Sequence, residues 1–466
     1  MPRRSPSRSN FCGTPGVARI RTVLFTISAL SLLACGAQDT ARDNQPAAAG
    51  QDSTSARQSG RVPGRWNKPR ELDDAATLTA EQRQQIEELK SVGYVDGSTP
   101  APDLEGVVLN DTERSAPGFN FYTSGHGPEA ILADMDGRVL HRWRYDFHAA
   151  FPEHTGGEDK LNMEFWRRAY LYPDGGLLAV FDGLGLIRLD KDSKLLWASG
   201  EPAHHDLEVL PNGDIYVLTR EAHLVKRVDP EQPILEDFIV VIGQDGSVKK
   251  RLSLLQSFEN SDEHDWKIPS LRFWEKEKIR HLAANPGDIF HTNALAVLDG
   301  RLADRDPAFA AGNVMLSLCH LDMIAIVDMG QERVVWSLLG ESTLQHDPSI
   351  TPRGGLLFFD NHYRPLTASA ATELDPITRE PIWRYAGTER GDFFSRTCGT
   401  AQRLANGNTL ITESDNGRAF ELTEEKEIVW EFYNPHRAGN ERQYIATLFE
   451  LLRLPAEFPV GWAAGE

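Results

Sequence analysis

Two histidines in this chain stand at the same distance from the same kind of turn. In HHDLEVLPNGDIYVLTR, residues 204–220, His205 precedes Gly213 by eight positions, and in QHDPSITPRGGLLFFDN, residues 345–361, His346 precedes Gly354 by eight. Each histidine is followed by Asp, and each glycine opens an apolar strand. A third, His291 in DIFHTNALAVLDG, precedes a comparable strand, with the ten-residue stretch LADRDPAFAA lengthening the hairpin after it. A neutral imidazole nitrogen is a nucleophile near neutral pH, a proton carrier and a ligand for transition metals. A lone histidine is more often a packed core residue than a reactive one. Three at one repeat position point to a shared site.

The elements that must position them repeat as well. From about residue 117 the recurring text is a Gly turn, an apolar strand, a second strand ending near Asp, a turn, and a strand ending in Trp. Copies run 118–143, 173–197, 312–336, 354–383 and 406–432, with another starting at NGDIYVLTREAHLVKRVDP and continuing through DFIVVIGQDGSVKKRL. Trp143, Trp197, Trp336, Trp383 and Trp430 close five of the six, and their regular recurrence assigns them to packing between repeats. Short strands at fixed spacing imply an all-β chain, and a period of several strands implies blades. Six copies predict a six-bladed β-propeller over 117–436, interrupted by the non-repeating, charged, partly helical insertion 252–288, a candidate lid. The first strand of each blade lines the channel, so His205, His291 and His346, from successive blades, are expected at one mouth of it. His126, His141, His264, His281, His362 and His436 carry no such spacing signal.

The flanks read differently. Arg19 and Arg21 precede VLFTISALSLLA, an apolar run too short to span a bilayer, so residues 1–34 are an expected export signal. It ends in LLAC, which resembles the bacterial lipobox, with Cys35 as the acylated first residue and a lipid anchor to a membrane surface as the consequence. No Asp follows Cys35, which points to an outer-membrane destination, periplasmic or at the cell surface. Residues 35–70 read as a disordered tether, and 71–116 as a short helical and extended lead-in that packs on the main domain, with a capping box at Thr79 and Gln82. The tail 437–466, with one or two short helical turns, is expected to dock on the outer face. Formal charge is −19, and the first 34 residues hold five Arg and no acid, so the remainder carries −19 − 5 = −24. That excludes nucleic acid as a natural partner and requires a local cationic pocket for any small anion. Cys319 and Cys398 could pair in an oxidising compartment or serve as small buried hydrophobes.

The phrases HHDLEVLPNGDIYVL, DIFHTNAL, LLGESTLQHD, LLFFDN and QRLANGNTLITESDNGRAFELTEEKEIVWEF resemble the bacterial arylsulfotransferase family over most of residues 115–440. That resemblance implies a six-bladed propeller and a PAPS-independent enzyme of the periplasm, needing no cofactor, that takes a sulfuryl group from an aryl sulfate onto a histidine and passes it to a phenol. Carried over by motif, His346 is the nucleophile, His205 and His291 are its helpers, and Asn293 is a neutral donor to the transferring group. One departure stands out. The family places an Arg after the HxN motif to grip the sulfate, and Cys319 stands there. A thiol cannot replace a guanidinium with five donors. Arg220 and Asn361 each lie fifteen residues after their histidine, equivalent to Cys319 by repeat position, so Arg220 is the expected substitute cation. Asp206 and Asp347 neighbour the histidines, but adjacent strand side chains point opposite ways, which assigns them structural roles as readily as orienting ones.

Two other classes remain open on sequence alone. His205, His291, His346 and Cys319 form a set acceptable to zinc or copper, although the spacing lacks a close ligand pair. A non-catalytic surface propeller that binds a ligand also fits the acidic charge and the anchor.

Overall fold

The computed structural model describes residues 99–463, apart from 155–159, 262–286, 365–366, 389–390 and 439–441, together with Thr79 and Gln82. The expected export signal, Cys35, the expected tether, most of the lead-in, His264 and His281 lie outside the described residues. At Thr79 and Gln82 the capping box is present: the Thr79 N–H donates to Gln82 Oε1 at 3.0 Å, and the Gln82 N–H to Thr79 Oγ1 at 3.1 Å.

The apolar runs become strands buried on both faces. LLAVF (Leu177–Phe181), VMLSL (Val314–Leu318) and EAILA (Glu129–Ala133) are buried at every position. A continuous run of this length is what a strand between two packed layers needs. The Trp-bearing strands Leu195–Ser199 and Pro381–Ala386 instead mix exposed and covered positions, as outer edges do. Six antiparallel sheets of this kind form the blades of a β-propeller. Their innermost strands are Leu448–Pro455 in blade 1, Arg168–Leu171 in blade 2, Ala203–Val209 in blade 3, Thr292–Val297 in blade 4, His346–Ile350 in blade 5 and Thr400–Arg403 in blade 6.

Among the described residues an apolar cluster lies between each neighbouring pair of blades, including blades 6 and 1. The repeat tryptophans sit in or beside these clusters and staple one blade to the next. Trp143 Nε1 donates to the Gly175 carbonyl at 2.9 Å, Trp197 to Gln244 at 2.9 Å, Trp383 to Glu424 at 3.1 Å and Trp430 to Met135 at 2.9 Å. A buried indole leaves its N–H needing such a partner, and a turn carbonyl of the adjacent blade supplies it.

Two expectations about the flanks need correction. The tail does not merely dock outside: LFELLRLP, residues 448–455, pairs with Gly118–Ser124 as the innermost strand of blade 1. An apolar run of this length is ambiguous between helix and strand, and the open edge of the first blade decides it. Only the last turn, Gly461–Ala463, lies on the outside, where Trp462 packs 5.5 Å from Trp143. From the lead-in, Gly106–Asn110 adds a fifth, outermost strand to blade 6 along Ile428–Tyr433. The ring is therefore closed from both ends of the chain. The insertion also begins later than expected. Residues 252–253 finish the outer strand of blade 3, and Leu254–Glu259 is a helix capped by Ser253, with Leu254, Leu255 and Phe258 buried in the core between blades 3 and 4. The stretch 262–286, where a lid was expected, lies outside the described residues.

Candidate active site

At one rim of the channel the inner strands start with distorted backbone. His205, His291, Asp347 and Cys398 adopt φ of +55°, +48°, +52° and +56°, the left-handed region that L-residues other than Asn and Asp rarely enter. Register shifts accompany the first three, between Val217 and Thr219, between Thr292 and Ala294, and between His346 and Ser349. A bulge of this kind re-aims side chains. Strict alternation would send Asp206 and Asp347 away from their neighbouring histidines, yet His205, Asp206, His346 and Asp347 all line one cavity. Every blade contributes to its wall: Phe449 from blade 1, Arg167 and Arg168 from blade 2, Asn293 and Ala294 from blade 4, and Cys398 to Thr400 from blade 6. Gly399, at φ +105°, leaves no room for a Cβ, which would meet the Phe359 ring at 2.6 Å.

The geometry fixes the tautomer of His346. Its Nδ1 lies 2.7 Å from Asn361 Oδ1 and 3.0 Å from the Leu344 carbonyl, both acceptors. The Asn361 amide cannot be turned round, because its Nδ2 donates to the Ser395 and Cys398 carbonyls at 3.0 and 2.6 Å. Nδ1 therefore carries the hydrogen and Nε2 the in-plane lone pair. Asn361 is fully buried and outside the cavity wall, so it holds His346 rather than contacting substrate, as the sequence had suggested.

The other two histidines are held from behind in the same manner. His205 Nδ1 is 2.8 Å from His204 Nδ1, and His204 Nε2 is 3.6 Å from Asp237 Oδ1. His291 Nδ1 is 2.9 Å from Asp288 Oδ2. The His205 and His291 rings lie 5.0 Å apart, and His320 packs 4.6 Å from His291 with its Nδ1 on the Asp288 carbonyl at 2.7 Å. His291 stands beside the cavity wall rather than in it.

Arg220 does not reach the site. It is 1% exposed, faces Asp182 and Asp237, and lies outside the cavity wall, with burial pushing its guanidinium down to about 10. Cys319 is likewise outside the wall, in a 3₁₀ turn, its thiol pushed up by burial and its sulfur against the Asn293 side chain. The three positions expected to be equivalent are so, and form a layer behind the histidines. Cys319 and Cys398 do not form a disulfide with each other. Asn293 lines the cavity, but its Nδ2 donates to the Gln345 carbonyl at 2.9 Å, while its buried Oδ1 has no hydrogen-bond partner among the described residues. Its amide is thus turned to the Gln345 carbonyl, where a donor to an anion was expected.

The cation that sequence reasoning missed is Arg167. Its guanidinium lies in the cavity wall, 3.3 Å from Cys398 Sγ and 5.0 Å over the Phe449 ring, with no carboxylate partner among the described residues. Arg168, beside it, is committed to Asp206 at 2.9 Å and to Glu450. The signal for Arg167 was available. It precedes Gly175 by eight positions, the offset of His205 and His346 from their glycines, and Gly175, Gly213 and Gly354 share φ near +85°. Across the cavity, burial raises the Asp347 carboxyl to about 7, helped by the charge of Asp206 and opposed by Arg168.

The alternative metal set of His205, His291, His346 and Cys319 is not among the three-donor groups of the described residues. Among the described residues, three-donor groups close enough for one ion are Asp288, His291 and His320, and His126, Glu129 and His436.

A cavity walled by a tautomer-fixed imidazole, a second histidine with a third beside it, and an arginine suits transfer of a small anionic group, and comparison with known proteins agrees. Residues 169–435, more than half of the chain, match the family described as arylsulfotransferase (ASST). The chain belongs to the arylsulfotransferase family. No curated protein matches it. Among solved structures, this arylsulfotransferase-family chain is similar to a Bacteroides caccae protein of unknown function at 12% identity and a TM-score of 0.45, covering 72% of this chain and 98% of that one. It is also similar to a streptogramin B lyase at 11% identity and a TM-score of 0.39, covering 77% and 96% respectively. A catalytically inactive virginiamycin B lyase from Staphylococcus aureus, with quinupristin, matches at 10% identity, covering 77% and 98%, with a TM-score of 0.39.

Proposed function

We propose that this arylsulfotransferase-family chain moves a sulfuryl group from an aryl sulfate to a phenol through a sulfohistidine at His346. The observation that carries this reading is the fixed His346 tautomer, which directs the lone pair of a neutral imidazole to Nε2. In the first half-reaction Nε2 attacks sulfur, the S–N bond forms, and the S–O bond to the aryl group breaks. The departing phenolate takes a proton from His205, whose neighbour His291 is backed by Asp288. In the second half the acceptor phenol gives its proton to His205, which lost one in the first half, while the S–N bond to His346 breaks and an S–O bond to the phenol oxygen forms. Such acid–base help is typically worth about 10²–10⁴ in rate. Arg167 faces the charge on the equatorial oxygens with a planar fork of donors, the role the sequence had left vacant at Cys319.

The test is to incubate the soluble domain with a chromogenic aryl sulfate and a phenol. Phenol-dependent chromophore release, with a mass gain of one sulfuryl group on the peptide holding His346, is the expected result. Release that persists in His346→Asn, or a mass gain elsewhere, overturns the assignment. The export signal and lipobox support a second proposal, that Cys35 is acylated and anchors the domain in the outer membrane. Cys35→Ala should then move the protein from the membrane to the soluble fraction.

A further inference from the structure

The strained start of blade 5 turns a second group into the cavity beside the proposed nucleophile. Asp347 follows His346 at φ +52°, the register shifts between His346 and Ser349, and both side chains line the same wall. A regular strand would have sent the carboxyl to the opposite face, and backbone held in this region clusters at functional sites. Asp347 Oδ2 accepts the Ala401 N–H of blade 6 at 3.0 Å. That leaves Oδ1 for the cavity, where Asp347 keeps more exposure than the buried His205, Asp206 and His346.

The charges around it decide which form of the carboxyl belongs there. Arg168 Nε is 2.9 Å from Asp206 Oδ1 and its Nη1 is on Glu450 of blade 1, so that guanidinium already serves two carboxylates. Arg167, the other cation of the wall, rests on Cys398 Sγ at 3.3 Å and over the Phe449 ring. His205 and His346 complete the titratable wall from blades 3 and 5. An ionised Asp347 would set a second negative charge against a bound sulfuryl group, whereas the neutral acid offers that group an O–H. Burial and the Asp206 charge favour the neutral form, and Arg168 opposes it.

We propose that Asp347 takes part as a neutral carboxyl, its Oδ1–H donating a hydrogen bond to an oxygen of the transferring sulfuryl group. This rests on the sulfuryl-transfer reading of the same cavity. The proton stays on Asp347 through both half-reactions, so the exchange of protons with His205 is unchanged. The site holds its anion while Asp347 is protonated and loses that hold as the carboxyl ionises through about pH 7.

The experiment measures kcat/KM of the whole chain for a chromogenic aryl sulfate, with a phenol as acceptor, and the affinity for inorganic sulfate by calorimetry, both across pH 5 to 9. In the wild type both should fall about tenfold between pH 6 and pH 8, the course of one carboxyl ionising near 7. Asp347→Ala, which removes the donor, should lose about 10–100-fold in kcat/KM at pH 6. Asp347→Asn, which places an N–H where the O–H stood, should recover most of that loss and flatten the decline above pH 7. Three outcomes overturn the inference: a wild-type kcat/KM that holds level from pH 6 to pH 8, a decline unchanged in Asp347→Asn, or an Asp347→Asn as slow at pH 6 as Asp347→Ala. The sulfate titration separates the two readings. Absent chromophore release, with sulfate affinity that declines in the wild type and not in Asp347→Asn, sinks sulfuryl transfer and keeps Asp347 as the anion's donor. Release that proceeds with both declines unmoved by the substitution sinks Asp347 alone.

Discussion

Blade 2 and blade 5 present a reactive side chain at the same repeat position by different means. In blade 5 the strand is bulged, Asp347 sits at φ +52°, and His346 and Asp347 both reach the cavity. In blade 2 the inner strand pairs with Leu177–Phe181 in unbroken register, and Arg167 and Arg168 reach the same cavity from regular backbone. The difference is reach. An arginine spans the gap on its own flexible stem, whereas an imidazole needs the backbone to bring it there. Each left-handed residue costs about 1–3 kcal/mol, an expense held in place by the packed blades around it. The short, strained arc of blades 3 to 5 supplies fixed nitrogen atoms, and the regular arc of blade 2 supplies positive charge.

That division can be broken from either side. The largest effect belongs to the strained arc: His346→Asn should lower turnover at least about 10⁴-fold, measured by chromophore release with an aryl sulfate and a phenol. On the regular arc, Arg167→Ala should cost about 10²–10³ in kcat, the scale for losing one transition-state donor, and Arg167→Lys should recover only part of it because charge returns without the fork. If Arg220→Ala were the more damaging for kcat at equal stability, the assignment of Arg167 would be wrong. Behind the strained arc, Asn361→Ala leaves the Leu344 carbonyl to hold His346, so a loss of about tenfold is expected. Asn361→Asp should move the acidic limb of the pH–rate profile upward, because a carboxylate favours protonated His346.

The smallest effect is on stability. Asp347, raised to about 7 by burial, binds a proton more tightly folded than unfolded. Its contribution is complete below the unfolded carboxylate range near 4 and is lost as pH rises through about 7. Asp347→Asn should flatten that decline and leave the variant more stable than wild type at pH 8, read by denaturant unfolding at several pH values.

The blade count was legible because five of the six repeats end in a tryptophan that packs against the next blade and the repeats turn on glycine, signals that survive divergence of everything between. The histidine cluster was legible because two of its members keep a fixed distance from those glycines. Arg167 kept that distance too, but it lies ahead of the recognisable repeat text and was passed over. That Asp206 and Asp347 reach the same cavity as their histidines was not legible, because alternation holds only for a regular strand and a bulge is invisible in composition. Arg220 was placed correctly in the repeat and wrongly in depth: position along a strand does not say which strand of the blade faces the channel. The closing strand was missed because LFELLRLP pairs across more than three hundred residues, and no local pattern carries that information.

Ring closure also sets a schedule. Phe449 and Glu450, which complete the cavity wall and anchor Arg168, belong to a strand that follows every other blade in the chain. A polypeptide can stack blades 2 to 6 while the cavity is still open on one side. The chemistry proposed at His346 therefore needs the chain through residue 455, and a chain cut short before that point would lack one side of the cavity.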